Sequence, residues 1–203
     1  MLISLLGDEG SAYWIAHTAI KAVFNHLDGY VISPYSIKYL HEKMYEYFGI
    51  TDRFGMLPHL YPNEDKFDKQ RFANFTAEGV VKGATNGDEL CKHVLRLGGQ
   101  ELGKHVQAVI PKMEPELVSK PGGLTILAVG GVWKSWDFLK EGFIEGISPQ
   151  TPEQKGLSEF SIVRFKKGTS ASIGAAALAA KHAKLPLAID YNQTTDTFYQ
   201  HKL

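Results

Sequence analysis

Two short stretches of this 203-residue chain combine residue types that can hold a ligand, and they lie far apart in sequence. The first is Gly7-Asp8-Glu9-Gly10-Ser11, a glycine-bracketed acidic turn that opens into the helical pattern Ala12-Tyr13-Trp14-Ile15-Ala16-His17. Ionised carboxylates accept hydrogen bonds from hydroxyls, and glycines let backbone approach a ligand closely. Beside a helix start the same carboxylates also serve as caps, and residue type alone leaves both roles open. The second stretch is Gly130-Gly131, directly after the apolar run Leu124-Thr125-Ile126-Leu127-Ala128-Val129. Missing side chains there would let a flat ligand lie on backbone, and the helix that follows would offer free amides. A diglycine turn serves plain chain reversal equally well.

Other chemistries find little support. There is no GxGxxG and no GxxxxGK[ST], so neither common glycine-rich phosphate cradle is present. The eight histidines are scattered, and His41-Glu42 lacks the second histidine of HExxH. Cys91 is alone, falls in the first turn of a long helical pattern and reads as a small buried residue. His93, two positions on, points to a different helix face. No metal ligands are expected.

The elements that must position these residues are mostly helical in the first half. Ala12, Ile15, Ala16, Ala19, Ile20, Val23, Phe24 and Leu27 share one face, with Gly29 as the stop. Ser33-Pro34 predicts the start of a second helix through Leu40, Met44 and Phe48, ending at Gly49. Thr51-Asp52 opens a short third element over 53–61, and charged residues over 64–69 lead into a fourth helix over about 67–84. Asn86-Gly87-Asp88 turns and caps a fifth helix over about 89–110, with Leu90, Val94, Leu97, Leu102, Val106 and Val109 inward. Pro111 and Pro115 close it.

The character then changes. Residues 124–129 read as a strand buried on both faces, and a helix follows over about 133–147. Residues 160–165 alternate as a second strand, residues 170–182 form a small-residue helix suited to close packing, and the polar, aromatic segment from Leu185 onward reads as a terminal helix. Two strands do not make an independent sheet. A ligand turn normally follows a sheet strand, yet only six residues precede Gly7. The expectation is that sheet strands upstream of Gly7 are absent.

Composition bounds the partners. Twenty-two basic residues balance 22 acidic ones, leaving no global field for nucleic acid or an anionic membrane. A single cysteine fits a reducing, cytoplasmic setting, and no apolar run reaches the roughly 20 residues of a membrane span.

At the residue level the acidic turn and helix, Gly7 through His17, resemble the start of the C-terminal lobe in eukaryotic N-acetylglucosamine kinases. Lys69-Gln70-Arg71-Phe72-Ala73, Gly130-Gly131-Val132-Trp133-Lys134-Ser135-Trp136 and the helix over 170–182 resemble the same family in the same order. The resemblance runs from Gly7 to near Tyr199, and Tyr13-Trp14-Ile15-Ala16-His17 with Val132-Trp133-Lys134-Ser135-Trp136 are its most specific parts. That family belongs to the actin-like ATPases, with hexokinases and the activator ATPases of acyl-CoA dehydratases. The implied fold is α/β: the C-terminal lobe, residues 7–203, of an actin-like (ribonuclease H-like) sugar kinase, helix-rich with a truncated sheet, residues 1–6 being an unrelated start.

The implied activity is transfer of phosphate from ATP, with Mg2+, to N-acetyl-D-glucosamine, giving ADP and the sugar 6-phosphate. By resemblance Asp8 accepts hydrogen bonds from the sugar hydroxyls, Gly130 and Gly131 form the adenosine turn, Ala73 lines the nucleotide pocket, and Gly174 with its alanines sits close behind it. The intact enzyme would be a cytoplasmic homodimer, with no nucleic-acid or membrane partner. Members also carry an N-terminal lobe with a glycine-rich phosphate loop, a catalytic aspartate, a Gly-Thr-Gly phosphate loop and a Gly-Gly-Trp-Gly turn. None of these is found here, as an alternative transcript or a shortened gene would produce. Phosphoryl transfer depends on positioning and on charge stabilisation at the phosphates, so this chain is expected to contain no catalytic residue and to be inactive alone. The alternative is a non-catalytic regulatory or dimerisation module, with Leu40, Met44 and Phe48 either docking a partner or joining the core.

Overall fold

The computed structural model describes residues 7–62, 67–152, 154–169, 172–187 and 194–203. Expectations placed on residues 1–6, 64–66, 170–171 and 188–193 fall outside them. The chain is a helix-rich α/β protein with a small three-stranded mixed sheet. It divides into a helical unit, the residues up to Val109 together with Lys134–Gln154, and a sheet unit, Ile110–Trp133 with Lys155–Leu203.

In the helical unit, α1 (Ala12–Leu27) buries Ile15, Ala16, Ala19, Ile20 and Val23, the face its periodicity predicts. Helix α2 (Lys38–Phe48) begins at Lys38 rather than at Pro34. The Ser33 hydroxyl is used locally instead, accepting from the Tyr35 N–H at 3.1 Å and donating to the Tyr35 carbonyl at 2.9 Å. Leu40, Met44 and Phe48 are core, so this face is not available to a partner. Asp52 caps a 3-10 turn (Arg53–Met56) that runs into α3 (Leu57–Leu60).

Helix α4 (Lys69–Phe75), capped by Asp68, continues through a π turn (Thr76–Val81) into α5 (Lys82–Thr85) as one rod. Phe72, Thr76, Val80 and Ala84 are buried along it, each four residues from the last. In a regular α-helix a four-residue step drifts by about 40°. The wider π turn offsets that drift and keeps the stripe on one side.

Helix α6 (Glu89–Val109) differs from expectation in its inward face. Leu97, Leu102, Val106 and Val109 are only half-buried, while Gly98, Gly99, Gly103 and Gln107 join Leu90, Cys91, Val94 and Leu95 inside. The cause is α8 (Trp136–Ile147). A methyl group added to Gly99 would strike the Leu139 carbonyl, one on Gly103 the Phe143 carbonyl, one on Gly142 the Arg96 carbonyl, and one on Gly146 the Gln100 carbonyl. The helices meet backbone to backbone along glycines, which a search for apolar side chains passes over.

In the sheet unit, after α7 (Pro115–Ser119), β1 (Leu124–Leu127) pairs parallel with β2 (Glu159–Phe165), and β2 pairs antiparallel with β3 (Thr195–Lys202). Strand β3 stands where a terminal helix was expected. Pairing with β2 sets its conformation, and Phe160 packs against Tyr199 and His201 at 6.1 and 5.5 Å between ring centroids. Nor is β1 buried on both faces, because Leu124 is covered while Thr125 and Leu127 are exposed. Helix α9 (Ser172–His182) has no buried residue, so the close packing expected of its glycine and alanines is not found. Among the described residues no helix is long and apolar enough to cross a membrane.

Candidate functional site

The acidic turn is built from three directions. Ser11, with extended backbone, caps α1: its Oγ accepts from the Trp14 N–H at 3.1 Å. No acidic residue occupies the first turn of that helix, so capping is not the task of Asp8 or Glu9. Gly10 adopts φ +77° against α6, where an added methyl group would come within 3.0 Å of the Gly98 carbonyl oxygen. His105 Nε2–H donates to the Glu9 carbonyl at 2.9 Å, which also fixes the ring tautomer.

Held at both ends, Asp8 takes a left-handed conformation, φ +55°, that non-glycine residues seldom adopt. Its backbone carbonyl accepts from the Ser11 N–H at 3.0 Å. Its carboxylate Oδ2 lies 2.9 Å from Lys69 Nζ, at the start of α4. Lys69 in turn sits over the Tyr13 ring, 5.2 Å from its centroid. Phe67 and Phe72 meet the same ring edge-on, at 5.8 and 6.0 Å. Beneath the turn, Thr76 donates its hydroxyl to the Ala12 carbonyl, linking the π turn to the first residue of α1. Asp8 is one-third exposed and Lys69 about half, so the pair faces solvent on a floor of aromatic rings.

Ala73 lies four residues beyond Lys69, on the same face of α4, and is half-buried. It therefore belongs to the helical unit with Asp8. Gly130 and Gly131 belong to the sheet unit, following β1. Gly130 has φ +109°, a conformation that requires glycine, and Gly131 opens a 3-10 turn through Ser135. A methyl group on either would meet nothing within 4 Å. The turn is open and exposed. The described residues contain no group of three His, Cys, Asp or Glu side chains able to hold a metal ion.

Three histidines in the helical unit are held below the usual histidine value. Burial is the main cause for each, assisted by the charge of Lys21 at His17, of Arg71 at His59 and of Arg96 at His93. A separate cavity of about 370 Å3, lined by Tyr35, His93, Arg96, Asp137 and Glu141 among others, contains none of the predicted site residues.

Sequence reasoning picked out Asp8 but missed Lys69 and Tyr13 as its partners. Tyr13 is two residues past the cap, and Lys69 is separated from the turn by three helices, α1 to α3. The available signal was Asp68-Lys69, a cap and a cation opening a helix whose apolar face is aromatic. No protein-family model matches the chain.

Proposed function

We propose that this chain is the sugar-binding part of an ATP-dependent N-acetylglucosamine kinase and that, by itself, it binds the amino sugar without phosphorylating it. One observation carries the reading. Asp8 is relieved of capping by Ser11, yet is held in a strained backbone conformation with its carboxylate toward solvent. Backbone strain of this kind costs about 1–3 kcal/mol and persists where the surroundings enforce it, commonly at ligand sites. An ionised carboxylate over aromatic rings suits sugar hydroxyls, which donate to it, and the carbon-bound face of a pyranose ring, which packs on aromatics.

Within this reading ATP with Mg2+ supplies the phosphoryl group in the intact, cytoplasmic, dimeric enzyme, and Ala73 in the helical unit and Gly130-Gly131 in the sheet unit, each taken by itself, are assigned to nucleotide binding by the resemblance. The residues at hand bind and orient. Within this reading, taking the proton of the accepting hydroxyl and stabilising the transferring phosphate, the two contributions on which such transfer depends, are left to groups outside this chain.

The test is a coupled assay for ATP-dependent phosphorylation of N-acetylglucosamine by the purified chain with Mg2+, beside a sugar-binding titration of the wild type and D8N. Binding without turnover, lost in D8N, is the expected result. Turnover at the rate of an ordinary sugar kinase would overturn the inactive reading, and D8N binding like wild type would overturn the sugar site.

A non-catalytic interaction module is the second reading, favoured by an apolar groove of about 360 Å3 lined by Phe24, Met56, Leu57 and Leu60, with Phe54 exposed on its rim. Co-purification with intact kinase, abolished in F54D, is its measurement.

A further inference from the structure

The sugar-binding reading of Asp8 leaves one neighbour without a role, the ammonium of Lys69. Its Nζ lies 2.9 Å from Oδ2 of Asp8, so one carboxylate oxygen is engaged. Among the described residues the other oxygen, Oδ1, carries no hydrogen bond. The ammonium is held over the Tyr13 ring, while the side chain stays about half exposed. An ammonium has three donors and no acceptor, and an ionised carboxylate only accepts. Side by side they offer a donor and an acceptor at one place with no net charge.

Adjacent hydroxyls on a sugar are complementary to such a pair. Each hydroxyl both donates and accepts, so one gives its proton to Oδ1 while the next receives from Nζ. A lone carboxylate would instead favour cations. With Lys69 beside it, an incoming ammonium meets a like charge at contact distance and the carboxylate's attraction is already spent on its neighbour. We propose that Asp8 and Lys69 act as one donor–acceptor pair that reads a vicinal diol of an uncharged sugar and turns away a sugar bearing a free ammonium. Lys69 is thereby the group that separates an N-acetylated hexosamine, which is neutral, from the free amine.

The inference rests on the sugar-binding reading of Asp8, and its test separates the two. Chemical-shift titrations of the full chain are run with N-acetylglucosamine and with glucosamine at about pH 6, where an amine of ordinary basicity is protonated. Wild type is expected to take the N-acetylated sugar at least tenfold more tightly. K69M removes the donor and leaves Asp8 unpaired, so N-acetylglucosamine should weaken about tenfold and protonated glucosamine should gain, reversing the preference. K69R keeps the cation and should keep the wild-type order. Lys69 is half exposed, and far-ultraviolet circular dichroism reports whether K69M stays folded. An unchanged preference in folded K69M overturns the role of Lys69 while leaving Asp8 in place, provided D8N loses binding. If D8N binds as wild type does, or wild type binds neither sugar, the reading of Asp8 falls and this inference falls with it.

Discussion

In the helical unit Gly99, Gly103, Gly142 and Gly146 let α6 and α8 touch backbone to backbone, whereas in the sheet unit Gly130, Gly131 and Gly174 face open space. The same residue type thus marks both tight and empty places, and neither unit holds one kind alone: a methyl group on Gly123 in the sheet unit would strike the Glu159 carbonyl, and Gly29, Gly49 and Gly87 in the helical unit also face open space. A glycine in sequence states only that a side chain is absent. Whether the vacancy is filled by a neighbouring helix or left free depends on what the fold brings there. Interpreting Gly130-Gly131 or Gly174 as ligand or packing positions therefore needs the neighbour as well as the glycine.

Substitutions can break that contrast or sharpen it. The largest effect is expected from G142A, whose methyl group would be driven into the Arg96 carbonyl. Overpacking of this kind should lower unfolding free energy by about 3 kcal/mol in urea. An unaltered midpoint would mean that the two helices separate at little cost. In the sheet unit, G130A should cost about 1–2 kcal/mol because alanine is strained at its positive φ. G131A, with neither strain nor a neighbour, should change stability by less than about 0.5 kcal/mol. Equal losses in the two would show that the turn is more enclosed than the open space around it implies.

Ser11→Ala should cost about 1 kcal/mol through loss of the α1 cap. If Asp8 replaced it as the cap, the loss would shrink and the separation of capping from ligand binding would fail. The smallest effect is acid sensitivity, and it should be confined to the helical unit. His17, His59 and His93 all lie there and bind protons less readily when folded than when unfolded. Their neutral forms favour the native state fully above the unfolded value of about 6.5, and that contribution is lost as pH falls through it. Amide protection factors, with the intrinsic pH dependence of exchange divided out, should therefore fall between pH 7 and 5 in the helical unit, and less so in H17Q. A uniform fall across both units would contradict this.

How much of this was legible in sequence differed from element to element for a physical reason. In α1 and α2, burial follows side-chain periodicity, so Ile15, Ile20, Val23, Leu40, Met44 and Phe48 were found directly. In α6 the inward face is set by backbone contact at glycines, and a pattern of apolar side chains misplaces it onto Leu97, Leu102, Val106 and Val109. Strand β3 was unreadable because Thr195, Asp196, Thr197 and Gln200 give no apolar alternation, and only pairing with β2 makes them a strand. Asp8 was legible as a carboxylate beside a helix. Its release from capping was not, because Ser11 and Asp8 are both good caps by type and only the geometry shows which hydrogen-bonds the helix.

The π turn in the rod from Lys69 to Thr85 has a consequence for how this segment can change over time. Six residues of a π turn sweep about the same angle as five of an α-helix, so removing one residue from the turn would restore an ordinary helix with its two ends facing nearly as before. A residue removed elsewhere in the rod has no such slack: it would swing one end by about 100° and, with the buried end anchored by Val80 and Ala84, carry Lys69 away from Asp8 although both side chains were still encoded. The turn is thus where this stretch can shorten, and the rest of its length is inherited together with its chemistry.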